Sequence, residues 1–317
     1  VAVAIAAFAA AFSAIAQSDY PYKPVTMIVP FPPGGVADIT ARSLAETMGR
    51  ILKQPVIVEN RAGAGGGVGM HYVARAKPDG YTVLMALSSI SIIPEADKVL
   101  GRDPMYQLKE FVPIARFTAD PTVLAVRADS PYHSVADFLA AAKKNPGGIP
   151  YGSSGNYGTM HVPMEMLAGV AGVKMLHVPF TGAGPAVVAL LGGQVDALST
   201  GPSSVIGQVK GGKIRVLATW GDTRLAAMPD VPTLKELGYD AQFSQWTGLF
   251  VPAGTPDAAI AKLREAARLA VNDAAFQAAL AKVETPIQYL DQPQFRVFWD
   301  ADARKLTEVV KKIGRVE

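Results

Sequence analysis

Val29-Pro-Phe-Pro-Pro-Gly34-Gly35 decides the reading of this chain, because its opening returns half a chain later as Val178-Pro-Phe-Thr-Gly182-Ala-Gly184. Each copy closes a short apolar run, Val25 to Val29 and Met175 to Phe180, and each leads into a stretch with helical spacing. A strand that stops in a stiff glycine turn before a helix presents backbone N–H groups at a helix N-terminus, where they can hold an anion. Pro32 and Pro33 lack an N–H, so the donors of the first loop are confined to Phe31, Gly34, Gly35 and Val36. The prolines also hold the loop rigid, which lowers the entropy cost of binding. Two such loops, one in each half, predict two lobes facing one ligand.

Outward from the first loop, Ile39 to Leu52 has helical spacing, Pro55 to Val58 reads as a buried strand, and Glu59 to Gly67 as a glycine turn into a helix ending near Lys77. Tyr81 to Leu87 is a third strand that stops at Ser88-Ser89. Continuous apolar strands alternating with helices predict mostly parallel sheets covered on both faces, with ligands at the strand C-termini. The second half echoes the first. Phe111 to Val126 reads as a strand, a turn at Asp120-Pro121 and a second strand. A helix over Val135 to Lys144 follows, with Ser134 as its cap, then the polar turn Gly152 to Thr159. Further strands over Met175 to Phe180, Val195 to Thr200 and Ile214 to Thr219 alternate with helices over Pro185 to Leu191 and Ser204 to Lys210. Two terminal helices, Asp257 to Asn272 and Gln292 to Lys312, have no strand of their own and are expected to pack back on the first lobe. The expected division is lobe 1 over 17–121 and 245–317 and lobe 2 over 122–244, with the two crossings acting as a hinge.

Of the 317 residues 50% are apolar and 18% charged, enough for two cores and too ordered a composition for a disordered chain. Val1 to Ala16 carries no charge and ends in the small-x-small pattern Ala14-Ile15-Ala16, which reads as the apolar part of an export signal cleaved after Ala16. The periplasm is the expected compartment. The net charge of +3 comes from dispersed Lys and Arg residues, a pattern that argues against nucleic acid and mildly favours anionic ligands. With no cysteine, thiolate metal sites, disulfides and cysteine nucleophiles are excluded.

Catalytic patterns are absent. Gly152-Ser-Ser-Gly155 lacks the spacing of a nucleophile elbow, the four histidines lack metal-ligand spacing, and Gly63 to Gly69 admits no dinucleotide register. No metal or cofactor is expected. What remains is a set of neutral donors at helix starts: Ser153, Ser154, Asn156 and Thr159 precede a helix, where a carboxylate would gain roughly 1.5–3 kcal/mol per charge-assisted bond. Asp38 is expected to cap the amides of its own loop, and Arg61 to brace the glycine turn. His161 could donate to a carboxylate or sit packed and hydrogen-bonded, and Phe31, Tyr157 and Phe180 could wall a ligand or belong to the core.

Eight ordered motifs carry a family resemblance. They are Val29 to Asp38, Val58 to Gly66, Asp79-Gly-Tyr-Thr-Val-Leu84, Tyr151-Gly-Ser-Ser-Gly155, Val178 to Gly184, Gly193-Gln-Val-Asp196, Met228-Pro-Asp-Val-Pro-Thr233 and Pro252-Ala-Gly-Thr-Pro256. From Pro24 to about Lys312 the chain resembles the Bug family, the TctC-like periplasmic solute-binding receptors of tripartite tricarboxylate transporters. The resemblance implies an α/β, two-lobed type II periplasmic binding protein of the Venus-flytrap kind. It implies a small carboxylate or dicarboxylate ligand, held by second-lobe groups and bridged by waters to the first loop. Carried across, the binding positions are Phe31, Pro33, Gly34, Ser88, Ser153, Asn156, Tyr157, Thr159, His161, Phe180, Gly182, Ala183 and Thr200. Partners implied are transporter permease subunits or a sensor protein, around a monomeric receptor. Pro163, in the helix after Thr159, departs from the pattern and is harmless only in the first turn. The competing readings are an exported α/β enzyme acting on a small carboxylate, a receptor that serves sensing alone, and the effector domain of a transcription regulator.

Overall fold

The computed structural model describes residues 20–316, so the expected export signal over Val1 to Ala16 lies outside the described residues. In chain order the elements of the first half are β1 (Val25–Val29), α1 (Val36–Leu52), β2 (Val56–Asn60), α2 (Gly67–Ala74), β3 (Thr82–Leu87), α3 (Ser89–Val99) and β4 (Phe111–Pro121). The middle of the chain gives β5 (Val123–Arg127), α4 (Val135–Lys144), β6 (Pro150–Ser153), α5 (His161–Ala171), β7 (Leu176–Pro179), α6 (Ala183–Leu191), β8 (Ala197–Thr200), α7 (Ile206–Lys210) and β9 (Ile214–Thr219). The last part gives β10 (Ser244–Pro252), α8 (Asp257–Ala270), α9 (Ala274–Lys282), β11 (Leu290–Asp291) and α10 (Gln292–Ile313).

Two sheets result, ordered β11-β4-β10-β3-β1-β2 and β7-β6-β8-β5-β9, each flanked by helices. The fold is a two-lobed α/β arrangement. The mostly parallel sheets expected from the sequence each carry reversed strands. β1 pairs in parallel with β2 and β3, and β6 with β7 and β8, but β10 and β4 pair antiparallel within the first sheet, and β5 runs antiparallel to both β8 and β9. The reason is the crossing. A chain that leaves one sheet at the end of β4 and returns through β10 enters each sheet from the far side, so its strands run against the βαβ units. Asp120-Pro121 is likewise no hairpin turn: β4 ends the first sheet there, Thr122 bridges, and β5 begins the second.

Local rules account for several helix starts. Ser134 Oγ accepts from Asp137 N at 3.1 Å and starts α4, and Asp273 caps α9 through Ala275 N and Phe276 N. Pro163 falls in the first turn of α5, where its missing N–H costs nothing. Two helices escaped the sequence reading. α3 carries Pro94 in its interior, and α9 follows α8 after a break too short to separate them by periodicity. The terminal helices pack on the first sheet as expected: α8 and α9 lie on α1, and α10 lies on α3 and β4 while also touching α5. Trp246, Phe250, Phe295 and Trp299 form the aromatic centre of that contact, with ring centroids 4.8–5.5 Å apart for Phe250–Trp299 and Trp246–Phe295.

Candidate functional site

The two Val-Pro-Phe loops meet face to face. A Cβ added at Gly182 would collide with the Pro32 ring, one at Gly184 would lie 2.8 Å from Pro33 O, and one at Gly35 lies 3.5 Å from Ala183 Cβ. Nearby, a Cβ on Gly155 would come 2.8 Å from Gly65 N, and one on Gly201 would collide with Val36 and sit 2.8 Å from Gln245 Oε1. The halves therefore touch through glycine backbones, and any side chain there would hold them apart.

The first loop spends its polar groups on its own half. Asp38 Oδ2 accepts from Gly34 N at 3.1 Å and from Arg42 Nε at 3.0 Å, while Asn60 Nδ2 donates to Asp38 Oδ1 at 2.9 Å and to Phe31 O at 2.8 Å. Burial opposes the charge on Asp38, yet the bonds from Arg42, Asn60 and Gly34 win and hold its pKa below the ordinary carboxylate value. Asp38 thus caps its loop. Gly34, one of the expected donors, has its N–H taken, and it and Pro33 are exposed. The Phe31 ring is buried against Gly66. Arg61 pairs with Glu59 at 2.6 Å and stacks on Tyr72 of α2.

The second loop is braced from behind. Ser153 Oγ accepts from Gly155 N at 3.1 Å and meets His177 Nε2 at 2.6 Å, and His161 Nδ1 accepts from Tyr157 N at 2.8 Å. The His161 and His177 rings stack with centroids 4.0 Å apart. Burial pushes His177 down to about 4, and burial followed by the neighbouring His177 lowers His161 well below its usual value, so both are neutral props. His161 is fully buried, and its remaining nitrogen lies 3.8 Å from Glu165 Oε1. The Ser153 hydroxyl and His161 Nδ1 thus support their own loop, while His161 Nε2 has no hydrogen-bond partner among the described residues. Tyr157, also expected against the ligand, spends its hydroxyl on the C-terminal segment: it donates to Gly314 O at 2.7 Å and accepts from Val316 N at 3.1 Å.

At strand ends and at the crossings, several buried polar atoms have no hydrogen-bond partner among the described residues. Ser88 and Ser89 Oγ follow β3, Ser199 Oγ and Thr200 Oγ1 end β8, Ser154 Oγ follows β6, and Thr122 Oγ1 and Gln245 Oε1 stand at the two crossings. A buried polar group left without a partner costs about 1–3 kcal/mol, so each of these groups gains from a hydrogen-bonding group brought against it. Ser88-Ser89, Ser154 and Ser199-Thr200 are legible as polar groups at the ends of apolar strands. Thr122 and Gln245 carry no such signal, since Gln245 falls in a stretch that reads as loop and is in fact the start of β10. Thr159 Oγ1 accepts from Gln245 Nε2 at 3.0 Å, across the two sheets. Asn156, Tyr157 and Phe180 line a neighbouring cavity of about 560 Å³ at the junction, together with Ala64, Met105 and Thr181.

Among the described residues the one buried guanidinium, Arg116, donates to Gln288 O and stacks on Phe298. Among them, too, no group of three His, Asp or Glu side chains is placed to hold a metal ion, and no helix is long and apolar enough to cross a membrane.

A family model described as the tripartite tricarboxylate transporter family receptor, TctC, matches residues 40–315. The chain belongs to this receptor family. Protein BugT of Bordetella pertussis is 34% identical over 320 residues, covering 98% of this chain and 95% of BugT. The structure of the periplasmic binding protein BugD superposes with a TM-score of 0.88 at 32% identity, covering 93% of this chain and 99% of BugD. MatC of Rhodopseudomonas palustris, solved with bound malate, superposes with a TM-score of 0.85 at 28% identity, covering 92% of this chain and 100% of MatC. The TctC family is one of solute-binding receptors, and the chain shares that role with its fold.

Proposed function

We propose that this TctC-family receptor works outside the cytoplasm, captures a small carboxylate or dicarboxylate between its two lobes, and presents it to the membrane subunits of a tripartite tricarboxylate transporter. The lobes are 17–121 with 245–317, and 122–244, and they close by bending where β4 passes to β5 and where the chain returns to β10. The observation that carries the reading is the set of buried, unpartnered hydroxyls at the ends of β3, β6 and β8, beside two helices, α5 and α6, whose starts have no side-chain cap. Hydroxyl and amide donors in a water-excluded seam suit a carboxylate, whose charge strengthens each bond without a basic residue. The first loop offers a rigid wall that reaches the ligand through bridging waters, each costing about 0–2 kcal/mol. Binding of malate by MatC supports the same ligand chemistry here.

The test is a thermal-shift screen of the purified protein with citrate, dicarboxylates, amino acids and aromatic acids. A ligand at a hundred times its Kd stabilises the folded state by about 2.7 kcal/mol, a rise of several degrees in Tm. A selective rise with one acid, absent with its amide or ester, is the expected result. A ligand-free, well-folded protein that responds only to uncharged solutes would sink the carboxylate reading.

A further inference from the structure

Gln245 is the second residue of β10, on the strand that brings the chain back to the first sheet, and it is 4% exposed. Its Nε2 donates to Thr159 Oγ1 of the other half at 3.0 Å, and Oε1 is buried with no partner among the described residues. Oε1 lies 2.8 Å from where a Cβ on Gly201 would stand, next to Thr200 and its unpartnered hydroxyl. The register Gln245↔Asp120 places the Asp120 carboxylate on the same face of the sheet as a cross-strand neighbour. Asp120 is 5% exposed and accepts no hydrogen bond among the described residues. Burial raises its pKa to about 7, so near neutrality the carboxyl is partly protonated and adds little fixed negative charge beside Gln245.

The open oxygens at Ser88, Ser154 and Thr200 are hydroxyls, which donate as well as accept, whereas the amide oxygen of Gln245 can only accept. A carboxylate oxygen brought against Gln245 Oε1 would set lone pair against lone pair with water excluded, while an O–H or N–H would satisfy it.

We infer that Gln245 selects the ligand through this buried acceptor, so that the site favours a carboxylate bearing a hydroxyl or ammonium donor beside its carboxyl group over the plain acid. The inference rests on the carboxylate reading above and adds the side chain that discriminates among carboxylates.

Calorimetric titration with succinate, malate and aspartate tests it, since these acids differ only in the substituent on one carbon. If the screen returns a longer or aromatic acid, that acid is titrated against its 2-hydroxy and 2-amino derivatives. The expected result is about tenfold or tighter binding of the donor-bearing acid over the plain one. Gln245→Leu should narrow that gap to about threefold or less, and whichever of malate and aspartate binds better identifies hydroxyl or ammonium. Plain and donor-bearing acids of equal affinity, or a gap that survives Gln245→Leu, would overturn the inference while leaving a carboxylate receptor in place. Should Gln245→Leu fail to give a cooperative melt, Thr159→Val frees the amide to turn its NH₂ inward. Selectivity must then move toward the plain acid, and an unmoved ratio overturns the inference equally. If no carboxylate binds at all, the receptor reading fails first and this one falls with it.

Discussion

The two loops that begin Val-Pro-Phe finish as opposites. The first, led by two prolines and tied to Asp38 and Asn60, satisfies its own polar groups and projects a stiff wall. The second continues into glycines that receive that wall, starts α6 without a side-chain cap, and lies in the half where Ser154 and Thr200 remain unpartnered. The difference teaches a division of labour: the first loop is preorganised shape, while open hydrogen-bonding capacity lies at strand ends away from it, at Ser88 and Ser89 of its own half and at Ser154 and Thr200 of the other. Preorganisation lowers the cost of closing, and unspent donors supply the affinity.

The comparison breaks most visibly at the seam. Gly182→Val places a branched side chain where the Pro32 ring already sits, so the halves cannot meet. We expect a folded protein whose Kd for the ligand found in the screen rises by about a hundredfold, roughly 2.7 kcal/mol. Titration calorimetry with small-angle scattering checks this, since the variant should stay extended in saturating ligand. A variant that still compacts and binds would remove the seam from the account.

A smaller effect separates the two loops directly. Ser154→Ala and Thr200→Ala should each weaken ligand binding by about 1.5–3 kcal/mol with little change in Tm of the ligand-free protein. Asp38→Ala should do the reverse, lowering Tm through the loss of its bonds to Gly34, Arg42 and Asn60 while changing affinity less. Paired melts and titrations of the three variants decide it. Equal loss of affinity in all three would erase the distinction between wall and donors.

The smallest effect is a difference in pH response. His177 titrates near 4 in the folded protein, below its ordinary 6.5, so the folded state binds its proton less readily than the unfolded one. Its contribution is present above 6.5 and is lost as pH falls through about 4. Asp38 is also depressed, but from 3.8, so the first loop loses its support only at lower pH. Asp120 and Asp302, raised to about 7 and about 6 by burial, act oppositely and gain stability on protonation over that range. The difference between wild type and His177→Gln isolates the histidine: the Tm of wild type should fall further between pH 6.5 and 4, by several degrees. Parallel curves would show that the stacked histidines do not support the second loop.

Much of this was legible in local sequence because it depends on local physics. Strand ends followed by glycine, the Ser134 cap and the first-turn placement of Pro163 all follow from hydrogen bonds within a few residues. Asp38 capping its loop is of the same kind. The antiparallel crossing strands were not legible, because pairing direction depends on where the chain re-enters a sheet and no residue type records that. α3 was hidden by Pro94, whose cost is offset by packing against α10.

By itself, the sequence determined the alternation of strands and helices, the absence of thiol chemistry and the recurrence of one loop in both halves. Tertiary structure alone decided that Ser153, Tyr157 and His161 spend their groups on His177, on the C-terminal segment and on the loop backbone. It also decided that Thr122 and Gln245, with Ser88, Ser89, Ser154, Ser199 and Thr200, are among the side chains left open. A hydroxyl's chemistry is fixed by its residue type, but whether it is free to bind depends on neighbours tens to hundreds of residues away, and only the folded chain brings those neighbours within hydrogen-bond distance.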